Sequence, residues 1–369
     1  MLPTSVSRET LPHWSDASGC WCTHDHSVFR YNYDTGTLRK VFSLPPKRGS
    51  AAERLKDRLA RSWLRRRFWP NAGIDSLVAL ANGDVVIVYD RIYWYSHARH
   101  GAYAEVLNAT DIASAASPLR GGVAVHAHSQ LIYYGEYLNG HDCDIRVIRI
   151  DVAARTIEAC WSFARSDIKH IHAIHYDRFR NRLWICTGDL DHESSFYYTD
   201  DEFQTVHRFA GGNQSWRAIA LLFDETGMEW GMDAGKDAPA DAINLIFRYE
   251  FESGLRTECA VIGNPAYAAC KFADGTAMMA TTFEPGRRQA TPEEAALWYR
   301  GQDGQWRKTL SLPYAPHPRP GISKYGSILL PSGISPVGQL LFTPVNTQAG
   351  HYNLMVWRMP TSNPLASNR

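Results

Sequence analysis

Between Lys169 and Glu193 the chain reads KHIHAIHYDRFRNRLWICTGDLDHE, and His170, His172, Asp189 and Glu193 are residue types that move protons or hold metals. Alternation along a strand sends His170 and His172 to the same side. With Asp189 and Glu193 they form a set able to ligate a divalent metal. The same set suits acid/base work, in which a carboxylate fixes the imidazole tautomer and raises its basicity. A hydrogen-bonded histidine cluster that merely supports the fold uses these residues too, and the residues alone leave the three open. Gln214-Ser215-Trp216-Arg217 adds a guanidinium, so His172, Asp189, Glu193 and Arg217 are the candidate catalytic residues.

These residues need strands to hold them. His170 to Tyr176 and Arg182 to Thr187 are strand-like runs, the second ending on Gly188-Asp189. An apolar strand stops on an acid again at Tyr89-Asp90, Gly135-Glu136, Trp230 to Asp233 and Phe283-Glu284, with weaker relatives at His24-Asp25 and Val345-Asn346. Such recurrence, in units of roughly forty to fifty residues each reading as a four-strand meander, is the pattern of a β-propeller. A lone meander cannot cover both of its faces, whereas neighbouring sheets cover them for one another. The expectation is an all-β fold, residues 1–369 forming one β-propeller domain of seven blades. Six is the alternative if the terminal units share a blade. The seventh unit, Ser323 to Met359, shows three clear strands, and its fourth is expected from residues before Trp14.

In this architecture the acidic strand ends and the starts of the inner strands open on one face. That groups Glu136, Tyr137, His170, Gln214, Trp216, Asp233, Tyr267, Glu284, Lys324 and Tyr325 as candidate substrate-binding residues. Planar hydrogen bonders beside aromatic rings suit a sugar, so the expected ligand is a glycan. Hydrolysis of a glycoside asks for two carboxyl groups, while elimination from a uronate asks for a base and a cation. Both sets are present. No cofactor is required, with a divalent metal at His170, His172, Asp189 and Glu193 as the exception.

One segment breaks the β pattern. Leu55, Leu59 and Trp63 make a helical stripe, Ser50 and Glu53 a capping box, and Lys47 to Trp69 reads as a basic amphipathic helix inserted between the first and second blades. It carries +7 and the rest of the chain −6. Such a helix either packs on the domain with a solvated basic face or makes peripheral contact with an anionic membrane. The overall charge of +1 gives no argument for nucleic acid. Without a secretory pattern or a long apolar run, the expectation is a cytoplasmic chain, peripheral to the inner membrane if that helix binds lipid. Seven cysteines, mostly on strand patterns, read as buried thiols.

Thr199-Asp200-Asp201-Glu202-Phe203-Gln204-Thr205-Val206 resembles the Asp-box turn, S-x-D-x-G-x-T-W, of sialidase-like propellers, with Thr199, Asp201 and Thr205 matching. Asp303-Gly304-Gln305-Trp306 is a second vestige. The middle third, from Tyr134-Gly135-Glu136-Tyr137 through NQSWRA and EWGMD, is similar to glycosidase-like propeller proteins of bacterial exopolysaccharide gene clusters. The resemblance implies a glycan-related role: a glycosidase or polysaccharide lyase acting on a bacterial glycan, or a noncatalytic propeller that binds glycan or serves as a scaffold in polysaccharide assembly.

Overall fold

The computed structural model describes residues 2–46, 50–60, 62, 73–107, 115–140, 142–317 and 323–359. Their contacts divide the chain into two compact units, one of Met1–Gly73, Ala269–Ala280 and Glu293–Arg369, the other of Ile74–Ala268 and Thr281–Pro292. Both are built from antiparallel β-meanders, and the fold is an all-β propeller.

The second unit contains four four-stranded blades in simple up-and-down order. The third of these is His170–Asp177, Arg182–Gly188, Ser195–Thr199 and His207–Gly211; the fourth is Leu221–Phe223, Gly227–Gly231, Asn244–Glu250 and Arg256–Gly263. Trp184, Phe196, Trp230 and Phe247 pack together across these two blades. Burying a side chain such as Phe196 contributes about 2–3 kcal/mol. Strand Ile145–Asp151 alternates buried and part-exposed residues except at Val147 and Ile148, both buried. A register shift between those two accounts for the break. Turns are fixed by aspartates that accept backbone N–H bonds two or three residues on, as Asp224 does from Thr226 and Gly227. In the Thr199 turn, Asp201 accepts from the Thr205 amide and hydroxyl, while Phe203 sits at φ +72.

In the first unit Thr4–Arg8 joins Asn353–Arg358, Gln339–Val345 and Ser327–Leu329 in a fifth four-stranded blade, so the N-terminus supplies the strand missing from the last repeat. The expectation of seven blades, or six, is corrected here. Five sheets are separate four-stranded blades, and the other strands run as one nine-stranded sheet. The reason is Ser332–Ser335, in a segment expected to be a hairpin turn. It pairs in parallel with Leu11–Ser15 on one side and with Ala266–Phe272 on the other. Gly333 makes this possible: its φ is +85, and a Cβ there would lie only 2.2 Å from the Ser15 carbonyl oxygen, so no other residue fits without moving the strand.

The inserted helix is corrected as well. Among the described residues helix is nearly absent, and in this segment they show one helix, Ala51–Ala60. Ser62 closes it with bonds from its amide and hydroxyl to the Leu59 carbonyl. Leu55 and Leu59, expected on a buried stripe, are each 58% exposed. Lys47, Arg48, Arg61, Trp63 and the residues from Leu64 to Trp69 lie outside the described residues, and with them most of the proposed membrane-binding charge. Among the described residues no helix is long and apolar enough to cross a membrane.

Candidate functional site

His170–Asp177 pairs with Arg182–Gly188 from His170 opposite Gly188 to Asp177 opposite Arg182, with a register shift between Ile171 and Ala173. His172 falls in that irregularity, which re-aims its side chain. As a result the Nε2 atoms of His170 and His172 stand 3.1 Å apart, and lie 3.3 and 3.2 Å from Asp189 Oδ1. All three residues are buried, at 0%, 2% and 7% exposure. Gly188 leaves room for this arrangement, since a Cβ there would meet His172 Cε1 at 2.5 Å. Gly188→Ala is therefore expected to displace the ring and cost about 1–3 kcal/mol, read as a lowered denaturation midpoint with an unchanged slope.

The tautomers follow from the outer contacts. His170 Nδ1 faces the Leu138 carbonyl at 3.1 Å and His172 Nδ1 the Ala218 carbonyl at 3.3 Å. Two neutral imidazoles that give their protons to these carbonyls turn bare Nε2 atoms toward an anionic oxygen. Such a trio calls for a shared cation, either an added proton or a metal. His170, His172 and Asp189 are the group of the described residues whose ligand atoms lie close enough to hold a metal ion, and carbonyl-bound Nδ1–H groups are the usual support for Nε2 ligation.

Arg217 follows the short 3-10 turn Gln214–Trp216, capped by the Asn213 side chain, and its carbonyl accepts the Asp233 amide. The guanidinium is thereby fixed with Nη2 2.9 Å from Asp189 Oδ1, Nη1 3.0 Å from Asp237 and Nε 3.5 Å from Asp233. Lys169 Nζ lies 2.7 Å from the other Asp189 oxygen. Burial would raise the Asp189 carboxyl, but its contacts with His170 and His172 and the Arg217 charge outweigh it and hold the group far below the usual carboxylate range. Burial has the upper hand at His172, pulling the imidazole down to about 4, and at Asp233, whose carboxyl is pushed well up. Oδ1 of Asp233 is buried without a hydrogen-bond partner. The Tyr137 ring stacks on His170 at 4.1 Å between centroids, and burial pushes its phenol up to about 12.

Other sequence candidates lie differently. Glu193 Oε2 accepts the amides of Asp189 and Leu190, so it caps the turn that presents Asp189. Glu136 accepts the Ala116 amide and a forked pair from Arg146. Gln214 donates to the Asp189 carbonyl and to Asp191. Trp216 stacks on Trp230 at 5.1 Å and under Arg256, which places it in blade packing. Tyr267 donates to Glu284, whose other oxygen accepts the Lys236 amide at 2.6 Å. Lys324 and Tyr325 belong to the first unit, where Tyr314 donates to the Lys324 carbonyl and Asn346 to that of Tyr325. Lys169 and Asp237 were not anticipated. A signal existed for Asp237, which follows Asp233 by four residues as Glu193 follows Asp189.

No family model and no curated protein matches the chain. Among solved structures it is similar to the GH74 xyloglucanase from Xanthomonas campestris, at 13% identity and TM-score 0.60, covering 97% of this chain and 53% of that one. It is also similar to oligogalacturonate lyase from Vibrio parahaemolyticus, at 10% identity and TM-score 0.56, covering 97% and 93%. A GH74 enzyme from Niastella koreensis matches at 11% identity and TM-score 0.53, covering 84% and 47%. The chain thus spans about half the length of the two GH74 enzymes. Likeness at these identities shows the propeller fold alone, and glycoside hydrolase and lyase propellers are among the structures that share it.

Proposed function

We propose that the chain is a carbohydrate-active propeller that cleaves an acidic bacterial oligosaccharide or polysaccharide by elimination at a uronate. The observation that carries this reading is the state of the carboxyl groups around Arg217. Asp189 is ionised and paired to Lys169 and Arg217, and Glu284 is bound by Tyr267 and Lys236. Glycoside hydrolysis needs one carboxyl to donate a proton and another to attack or to activate water. A neutral imidazole beside a fixed guanidinium fits elimination better.

In the step proposed, the His172 imidazole takes the proton from the carbon next to the uronate carboxylate. That electron pair forms a carbon–carbon double bond, the glycosidic carbon–oxygen bond beyond it breaks, and the leaving oxygen takes a proton from Tyr137. Arg217 offsets the charge that builds on the carboxylate, and Asp189 steadies the imidazolium. A divalent metal held by His170, His172 and Asp189 would be an alternative to this step, since it would take up the Nε2 lone pair that His172 uses as base. The similarity to lyase and glycosidase propellers supports the glycan assignment.

A second reading, glycan binding without catalysis, is favoured by the burial of both imidazoles. One assay separates the two. Polyuronates and neutral glycans are incubated with the protein, with and without prior chelation, and product is read by the ultraviolet absorbance of the new double bond. Elimination predicts unsaturated products from polyuronates, lost by about 100-fold or more in His172→Asn. Binding without product leaves the second reading standing.

A further inference from the structure

Beyond the cluster stands Arg287, a side chain with no evident structural task. Its Nε, Nη1 and Nη2 are all shielded from solvent without a hydrogen-bond partner, a condition met by no other arginine among the described residues. A buried guanidinium normally binds a carboxylate, carbonyls or water, because leaving it unpaired costs stability.

The neighbouring segments explain both its position and its lack of a partner. Residues 284–289 are tied to the loop 235–239 at two points: Glu284 accepts the Lys236 amide at 2.6 Å, and Gln289 donates to the Pro239 carbonyl at 2.6 Å. Arg287 lies between these ties. At Gly235 the loop brings groups together, since a Cβ there would be 2.9 Å from Glu284 Oε2, 3.2 Å from Asp237 Oδ1 and 3.5 Å from Arg217 Nη2. Glu284, the acid that pulls most strongly on Arg287, accepts from Tyr267 and the Lys236 amide and makes no hydrogen bond with the guanidinium. Burial pulls the Arg287 guanidinium below its usual range, with Glu284, Tyr267 and Asp233 opposing and Arg217 adding to the effect. Arg287 therefore belongs to the same electrostatic neighbourhood as Arg217, whose own charge is shared among Asp189, Asp233 and Asp237.

We propose that Arg287 is the carboxylate receptor of this site: its guanidinium fork binds the acid group of a uronate. The inference rests on the acidic-glycan reading for its ligand class and adds the residue that would select acidic over neutral sugars. A fork matches a planar carboxylate with two parallel bonds, which a lysine cannot reproduce.

The test is calorimetric titration with glucuronate, glucose and inorganic sulfate, alongside thermal unfolding, for the unaltered protein, Arg287→Met and Arg287→Lys. The proposal expects glucuronate to bind better than glucose and sulfate. Arg287→Met should lose roughly 10- to 100-fold in glucuronate affinity, the effect of removing hydrogen bonds to a charged group, with Arg287→Lys in between. Removing an unpaired guanidinium should also leave the melting temperature of the ligand-free protein unchanged or raised. Unchanged glucuronate affinity in Arg287→Met overturns the proposal, as does the absence of any glucuronate binding. Tighter binding of sulfate overturns the carboxylate assignment, and a large loss of melting temperature in both variants assigns Arg287 a structural role instead. If glucuronate binding depends on Arg287 but no polyuronate is cleaved, elimination is refuted and the receptor stands.

Discussion

Replacing Asp189 by alanine is expected to destabilise the protein by about 3–5 kcal/mol, the range for removing one member of a buried ion pair. Asp189 is the anion on which Lys169, His170, His172 and Arg217 converge. Without it, the 5%-exposed Arg217 keeps a contact with Asp237 at the surface and a longer one with Asp233, whose carboxyl burial holds toward the neutral form. A guanidinium so placed is poorly compensated, and its desolvation is no longer balanced. Asp189→Asn should cost less, because the amide keeps an acceptor oxygen while giving up the charge. Urea unfolding of the two variants at neutral pH measures both effects. A loss below about 1 kcal/mol in Asp189→Ala would mean that the cluster is held by backbone bonds rather than by charge.

The second large effect is on pH dependence. Burial holds the His172 imidazole to about 4, whereas the unfolded chain binds that proton near the ordinary value of about 6.5. The sign follows from which state holds the proton. Between these values the unfolded chain is protonated at this residue and the folded chain is not, so stability is complete above about pH 6.5 and falls as the pH drops toward 4. The difference amounts to about 3 kcal/mol. His175, donating Nε2–H to the Ile219 carbonyl at 2.7 Å, is pulled down by burial in the same direction. Asp233 works the other way, since its raised carboxyl takes up a proton in the folded state first. The clean measurement is therefore a difference. Unfolding free energies at pH 7 and pH 4.5 are compared for the unaltered protein and for His172→Gln, and the variant should show a shallower fall whatever its absolute stability. Equal slopes would show that His172 is already protonated in the folded state, as it would be if the cluster carried an imidazolium as its shared cation.

Such experiments bear on a site whose parts differed in how plainly they could be read. His170-x-His172 and Gly188-Asp189 pointed to one another because strand alternation and the acidic strand end are properties of short stretches. The roles of the glutamates were not readable in that way. Glu136, expected to bind substrate, and Glu193, expected to be catalytic, each accept backbone amides, and each also faces an arginine, Arg146 and Arg165. Whether a carboxylate faces a ligand or a turn depends on where those amides lie, and turn geometry is set by the fold. Trp216, expected beside a sugar, is also engaged by Trp230, Phe196 and Arg256, contacts that only the fold brings together.

By itself the sequence determined the meander units, their turns and the strands that carry the histidines, because periodicity two and glycine or aspartate turns are local preferences. It also foretold that the first strand would complete the last repeat. Only the tertiary structure decided that Ser332–Ser335 would join two sets of strands into one sheet, since parallel pairing between distant segments leaves no mark in either segment alone. It likewise decided the chemistry of the site. Arg287 stands three residues beyond Glu284 in a loop with no motif of its own, and what sets it apart, a shielded guanidinium without a hydrogen-bond partner beside a Glu284 that is bound to Tyr267 and Lys236, exists only once those segments have met.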